Sequence, residues 1–127
     1  MTMQRVDVAT EPVGEALLDA AASLSAAACL FRGLGDPTRL AILRHLALGE
    51  HRVVELTAHL GLAQSTVSGH LACLRDCGLV VSRPQGRASV FSLTARPELL
   101  DVLGAAEGLL AATGSQVVLC PTIQAES

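Results

Sequence analysis

Cys73 and Cys77 stand four residues apart in the run from Gln64 to Val80. On a helix that spacing places both thiols on one face, with Cβ atoms about 6 Å apart. Two thiolates at such a separation chelate one soft cation. Parallel Cβ vectors on one rigid helix do not suit a disulfide between the two. Earlier in the same run, Gln64, Ser65, Thr66, Ser68 and His70 carry the hydroxyl, amide and imidazole groups that bond phosphates and base edges. A helix N-terminus adds its own preference for an anion, and Gly69 clears a side chain where the helix would approach a groove. One helix thus joins a nucleic-acid-reading end to a metal- or redox-sensitive end.

Two thiols need a third ligand from elsewhere. Cys120 follows the Gly114-Ser115 break and sits on an apolar tail, Val117 to Pro121, able to reach across a dimer interface. Cys29, inside an alanine-rich apolar stretch, reads as a small buried side chain. The expected metal set is therefore Cys73, Cys77 and Cys120. Three thiolates suit Cd(II) and Pb(II) and also accept As(III), whereas Zn(II) ordinarily takes a fourth ligand. His59 and His70 are available for that place, but His70 is better explained on the DNA-facing helix, and His45 and His51 as surface residues.

The surrounding elements follow from local signals. Residues 1–13 lack periodicity and read as a mobile arm. Gly14 to Leu34 is rich in alanine and leucine and helical in character, with an interruption near Ser23-Leu24-Ser25, and Gly35 ends it. Asp36 caps the next helix and Pro37 fits its first position. That helix, Thr38 to Leu48, carries Leu40, Leu43 and Leu46-Ala47 as its apolar stripe. Val53 to Leu60 is a short helix with Val53, Leu56 and Leu60 inward. After the turn Gly61-Leu62-Ala63, Ser65 is the expected N-cap of a helix with Val67, Leu71 and Leu74 on one face, closed by Gly78. Helix, short glycine turn and second helix make a helix-turn-helix. Leu79 to Arg83 and Ser89 to Thr94 are short β runs about Pro84-Gln85-Gly86-Arg87, a hairpin wing carrying Arg83 and Arg87 for the DNA backbone or minor groove. Pro97 opens a last helix to about Ala112. The expected fold is mainly α with a β-hairpin wing, a winged helix-turn-helix. Its domain spans residues 14–112, and residues 113–127 form a tail.

Bulk properties agree with one small domain. The chain has 127 residues, half of them hydrophobic, and a formal net charge of −3. Residues 64–96 nevertheless hold four arginines against one aspartate, a local balance of +3. Every basic side chain except the histidines is an arginine. No signal core and no run of membrane-spanning length is expected, so the reading is a cytoplasmic protein with no membrane partner, its four cysteines thiols or metal ligands rather than disulfides. So small a domain leaves surface for a homodimer.

Three motifs now fall in order: Leu34-Gly35-Asp36-Pro37-Thr38-Arg39-Leu40-Ala41-Ile42-Leu43, Glu55 to Leu62, and Gln64 to Leu79, followed by Gly86-Arg87 in the wing. Over roughly residues 24–112 the chain resembles the ArsR/SmtB family of winged-helix repressors. The resemblance implies a bacterial homodimer, with its first and last helices at the interface, that binds operator double-stranded DNA until an inducer arrives. The run Leu71 to Val80 is similar to the cadmium- and lead-sensing subgroup, in which two such cysteines and one from the partner's tail form a three-thiolate site. Carried over by residue, this selects Cys73, Cys77 and Cys120. Other subgroups fit less well: Thr57 and His59 replace the cysteine pair after Glu55-Leu56, and the last helix has no histidine for an interfacial zinc or nickel site. The implied activity is operator release on binding Cd(II) or Pb(II). A repressor responsive to As(III), or one that senses oxidants through the same thiols, is the alternative. A thiol enzyme would need an oxyanion-cradling loop beside a cysteine, and none precedes Cys29, Cys73 or Cys120, so no enzyme and no small-molecule substrate are expected.

Overall fold

Asp36 and Pro37 begin the most clearly encoded helix. In the computed structural model, which describes residues 2–120 and side chains from Gly14 onward, the Asp36 carboxylate accepts hydrogen bonds from the amides of Thr38 (2.9 Å) and Arg39 (3.1 Å). These donors hold the Asp36 carboxyl below the usual carboxylate range, the Arg39 amide foremost. The elements are α1 (Thr2–Leu34), α2 (Pro37–Ala47), β1 (His51–Arg52), α3 (Val53–Leu60), α4 (Gln64–Asp76), β2 (Val80–Gln85), β3 (Ala88–Leu93) and α5 (Arg96–Ala112).

α1 departs from expectation. It is one helix from Thr2, not an arm to residue 13 followed by an interrupted segment. Ser23 and Ser25 do not break it, because each costs only a few tenths of a kcal/mol against the alanines around it. Its Gly14–Leu34 part is also long and apolar enough to cross a membrane, contrary to the expectation that no run is. Leu17, Leu18, Leu24 and Phe31 on it are exposed.

The core is formed by one face each of α2, α3, α4 and α5 against the sheet. Ile42, Leu43, Leu56, Val67, Leu71, Leu74 and Leu103 are its most deeply buried side chains. The expected stripes of α3 and α4 hold, with Val53 and Leu60 partly buried beside Leu56. On α2, Ile42 joins Leu43, Leu46 and Ala47, whereas Leu40 sits at the core's margin. Ser65 is not the cap of α4. Ala63 occupies that position, and Ser65 lies exposed in the first turn.

α4 ends as expected at Gly78, whose φ of 79° is left-handed. The Gly78 amide bonds the Arg75 carbonyl (2.9 Å) and the Leu79 amide bonds the Leu74 carbonyl (2.9 Å), the paired bonds of a Schellman stop. The wing turn is tighter than predicted. Pro84 and Gln85 already pair with Ser89 and Ala88, leaving Gly86-Arg87 as a two-residue connection with Gly86 at φ 62°. A third strand, β1, pairs His51 with Phe91 and Arg52 with Val90, giving the antiparallel order β1-β3-β2. Two residues are too short for periodicity to reveal. Arg96 Nε donates to the Ala47 carbonyl at 2.8 Å, fastening the start of α5 to the end of α2.

Because hydrogen bonding favours the ionised Asp36, its stabilisation is complete above the ordinary aspartate pKa of about 3.9 and is lost as pH falls through the lowered folded value. Asp36→Ala should therefore be less stable than the parent at neutral pH in urea unfolding, with the difference shrinking on acid titration. An unchanged difference at acid pH would show that the cap acts without its charge.

Candidate nucleic-acid interface and thiol site

Gln64, Ser65, Thr66 and Ser68 lie exposed along the first turns of α4. Beside them Gly69 is open, and a Cβ built on it would meet nothing within 4 Å. His70 is placed differently. Its Nδ1 lies 3.2 Å from Arg39 Nη1 and 3.9 Å from Asp36 Oδ2, and its side chain is only 22% exposed. A guanidinium can only donate, so Nδ1 is the acceptor of this hydrogen bond. Sequence reading assigned His70 to the DNA face, but the fold turns it towards the cap of α2. Arg39 also donates to the Gly33 carbonyl (3.1 Å) and the Arg32 carbonyl (2.7 Å), closing the end of α1. One arginine thus links α1, α2 and α4.

On the wing, Arg83 is exposed but paired with Glu50 at 2.7 Å, which removes much of its free charge. Arg87 stands at the turn, exposed, and among the described residues no carboxylate pairs with it. A groove lined by Arg52, Val53, Gln64, Arg87 and Ser89 runs between the wing and the first turns of α3 and α4. Arg52, which the sequence reading passed over, belongs to this face.

The thiols gather at the opposite end of α4. Cys77 is the C-cap and Cys73, half-buried, is a free thiol one turn before it. Cys77 is joined to Cys29 of α1 in a disulfide, with 5.5 Å between Cα atoms. Cys29 is therefore not an isolated packing residue, and the expectation of four thiols fails for this pair. Gly33 explains the close approach. A Cβ there would lie 3.0 Å from Leu79 Cδ1, 3.6 Å from Leu74 Cδ2 and 3.9 Å from Cys77 Cβ. Cys29 and Gly33, spaced i, i+4, share the helix face that meets α4, a signal present in the sequence and overlooked. Arg32 Nη2 lies 3.2 Å from the Cys29 sulfur and 3.9 Å from that of Cys77, which places a guanidinium beside the pair.

Cys120 sits apart. Glu107 accepts from the amides of Leu119 and Cys120, the latter at 2.8 Å, and these bonds hold its carboxyl below the usual range. The Cys120 sulfur lies 3.6 Å from the Leu100 carbonyl, and burial, then the charges of Glu107 and Asp101, push its thiol pKa up. Its described contacts are to α5, not to Cys73 or Cys77. The segment before it is fastened to its own protomer rather than trailing free as the sequence reading expected.

Residues 36–82 match the family described as bacterial regulatory protein, arsR family. The probable mercury resistance operon repressor of Streptomyces lividans is 38% identical over 96 residues, 76% of each protein. The chain belongs to the arsR family. The HTH-type transcriptional regulator CmtR of Mycobacterium tuberculosis is 52% identical over 69 residues, 54% of this chain and 58% of CmtR. Among solved structures, the homodimeric winged helix-turn-helix DNA-binding domain Mb0332 of Mycobacterium bovis superposes with a TM-score of 0.63 at 30% identity. It covers 72% of this chain and 88% of that one. The arsR-family fold is thus a winged helix-turn-helix, as the sequence implied.

Thiol counting tests the cysteine arrangement. Air-oxidised protein should show two reactive thiols per unfolded chain, Cys73 and Cys120, and four after reduction. Cys29→Ser should leave three whether or not reductant is added.

Proposed function

We propose that the chain is a cytoplasmic, homodimeric, metal-responsive repressor, not an enzyme. It binds operator DNA without metal and releases it on binding Cd(II) or Pb(II) through Cys73, Cys77 and Cys120. The observation that carries this reading is the division of α4. Its exposed polar residues lie at one end, and Cys73 and Cys77 at the other. Metal seated on the last turn acts directly on the element that reads DNA. The match to CmtR and the name of the Streptomyces relative support a thiophilic inducer. As(III) would use the same three thiols.

Gln64, Ser65, Thr66 and Ser68 contact the major groove, Arg87 the flanking backbone, and Arg83 joins it when Glu50 gives way. His70 acts by orientation, through Arg39. The partner protomer covers the apolar side chains that α1 and α5 leave exposed, among them Leu17, Leu24, Phe31 and Leu109. Because Cys120 is fastened to α5, it meets the Cys73–Cys77 pair from the partner protomer. A hundredfold loss of operator affinity corresponds to about 2.7 kcal/mol of coupling, within the ordinary allosteric range.

The Cys29–Cys77 contact favours a second reading, a redox-sensing repressor. Two thiols and one hydrogen peroxide yield the disulfide and two waters, and oxidation removes Cys77 from the metal set. The two readings separate in one experiment, in which reduced protein on operator DNA is treated anaerobically with Cd(II) or, separately, with peroxide. Cd(II) should release the DNA with sulfur-to-metal charge-transfer absorption, and Cys73→Ser or Cys77→Ser should abolish both effects while sparing apo binding. Release by peroxide alone, lost in Cys29→Ser, would establish the redox reading instead. Arg87→Ala should weaken operator binding across sequences and lower the slope of log affinity against log salt by about 1.

A further inference from the structure

His45, His51 and His59 come from three different elements and converge on one point. They belong to the last turn of α2, to β1 and to the last turn of α3. One ring nitrogen from each lies within 4.8 Å of the other two. The rings of His45 and His59 stack at 4.8 Å with 12° between planes, and His51 stands edge-on to both, 6.1 and 5.5 Å away. His51 is also oriented from behind. Its Nδ1 lies 2.8 Å from the Gly49 carbonyl, which can only accept, so Nδ1 donates and Nε2 is the nitrogen left for a metal. Donation from the other ring nitrogen to a carbonyl is the usual support of a metal-bound histidine.

From this convergence we infer that His45, His51 and His59 form a second metal site, for a borderline divalent cation with Zn(II) foremost. Imidazole suits Zn(II), Ni(II), Co(II) and Cu(II), whereas the soft ions assigned to the cysteines prefer sulfur. Zn–N bonds of about 2.0–2.1 Å place tetrahedral nitrogens about 3.4 Å apart, so side-chain rotation closes the present spacing. His45 and His51 are half-buried and His59 is exposed, which leaves the fourth position to solvent. The bound ion ties α2 and α3 to the strand that pairs with the wing, so the site stabilises the scaffold beneath the DNA face. Sequence reading had placed His45 and His51 on the surface and offered His59 to the thiols. The fold brings the three together instead.

The test uses full-length reduced protein and Co(II) as a spectroscopic probe, followed by Zn(II) titration. The site predicts visible d–d absorption that persists in Cys73→Ser/Cys77→Ser/Cys120→Ser, with one equivalent of Zn(II) per chain and a raised Tm. His45→Gln and His59→Gln should each weaken Zn(II) binding by more than about tenfold, an effect that even outer-sphere changes can reach. If the triple cysteine variant does not fold, the parent decides, because His45→Gln should remove the nitrogen-ligand d–d bands while sparing any sulfur-to-cobalt absorption in the near ultraviolet. Zn(II) affinity unchanged by both histidine variants, or a cobalt spectrum of thiolate character alone, would overturn the site. Neither result bears on the thiolate inducer, so this proposal and the repressor reading fail separately.

Discussion

Burial of Val67, Leu71 and Leu74 along one side of α4 is the interaction on which the other features depend. Each such side chain contributes about 1.5–3 kcal/mol when removed from water. Once the three are fixed against the core, helix geometry dictates the rest. Gln64, Ser65, Thr66 and Ser68 must then face solvent beside the wing, while Cys73 and Cys77 fall where the end of α4 meets α1. A substitution that rotated this stripe would misplace both chemistries at once.

The far end of α4 is a junction of three chain segments. The Schellman stop at Gly78 turns the chain into β2, Gly33 lets α1 approach Leu74 and Leu79, and the opposing sulfurs of Cys29 and Cys77 meet there. Arg39 reinforces the same region from α2, reaching the last carbonyls of α1 and the ring of His70. Movement at the thiol end is therefore movement of α4 itself, and packed side chains and one multidentate guanidinium carry it to α1 and α2. In the proposed mechanism the Cys29–Cys77 disulfide and the thiolate–metal site compete for Cys77, so that reading ties soft-ion binding to the redox state of the pair.

Charge on the DNA face is sparer than the arginine count suggests. Arg83 is paired with Glu50, Arg52 with Glu55, and Arg96 serves the end of α2, leaving Arg87 and the helix N-terminus as the unpaired attractions among the described residues of the groove. This economy accords with a chain of net negative charge that reads one face of DNA rather than coating it.

Local rules were enough for much of this. Asp36-Pro37 determined a helix start, Gly61 and Gly78 determined helix ends, and the spacing of Val67, Leu71 and Leu74 determined which face of α4 is buried. Caps, left-handed glycines and 3.6-residue periodicity act within one turn of the chain, so the sequence displays them directly. β1 escaped because two residues carry no period. The unbroken α1 escaped because the alanines on both sides outweigh two serines. Only the tertiary structure decided which distant groups meet: Cys29 with Cys77 across 48 residues, His70 with Arg39, Cys120 with Glu107, and His45 with His51 and His59. Those pairings depend on how helices approach one another, and that is set by side-chain volume at a few contacts such as Gly33, which no local pattern records.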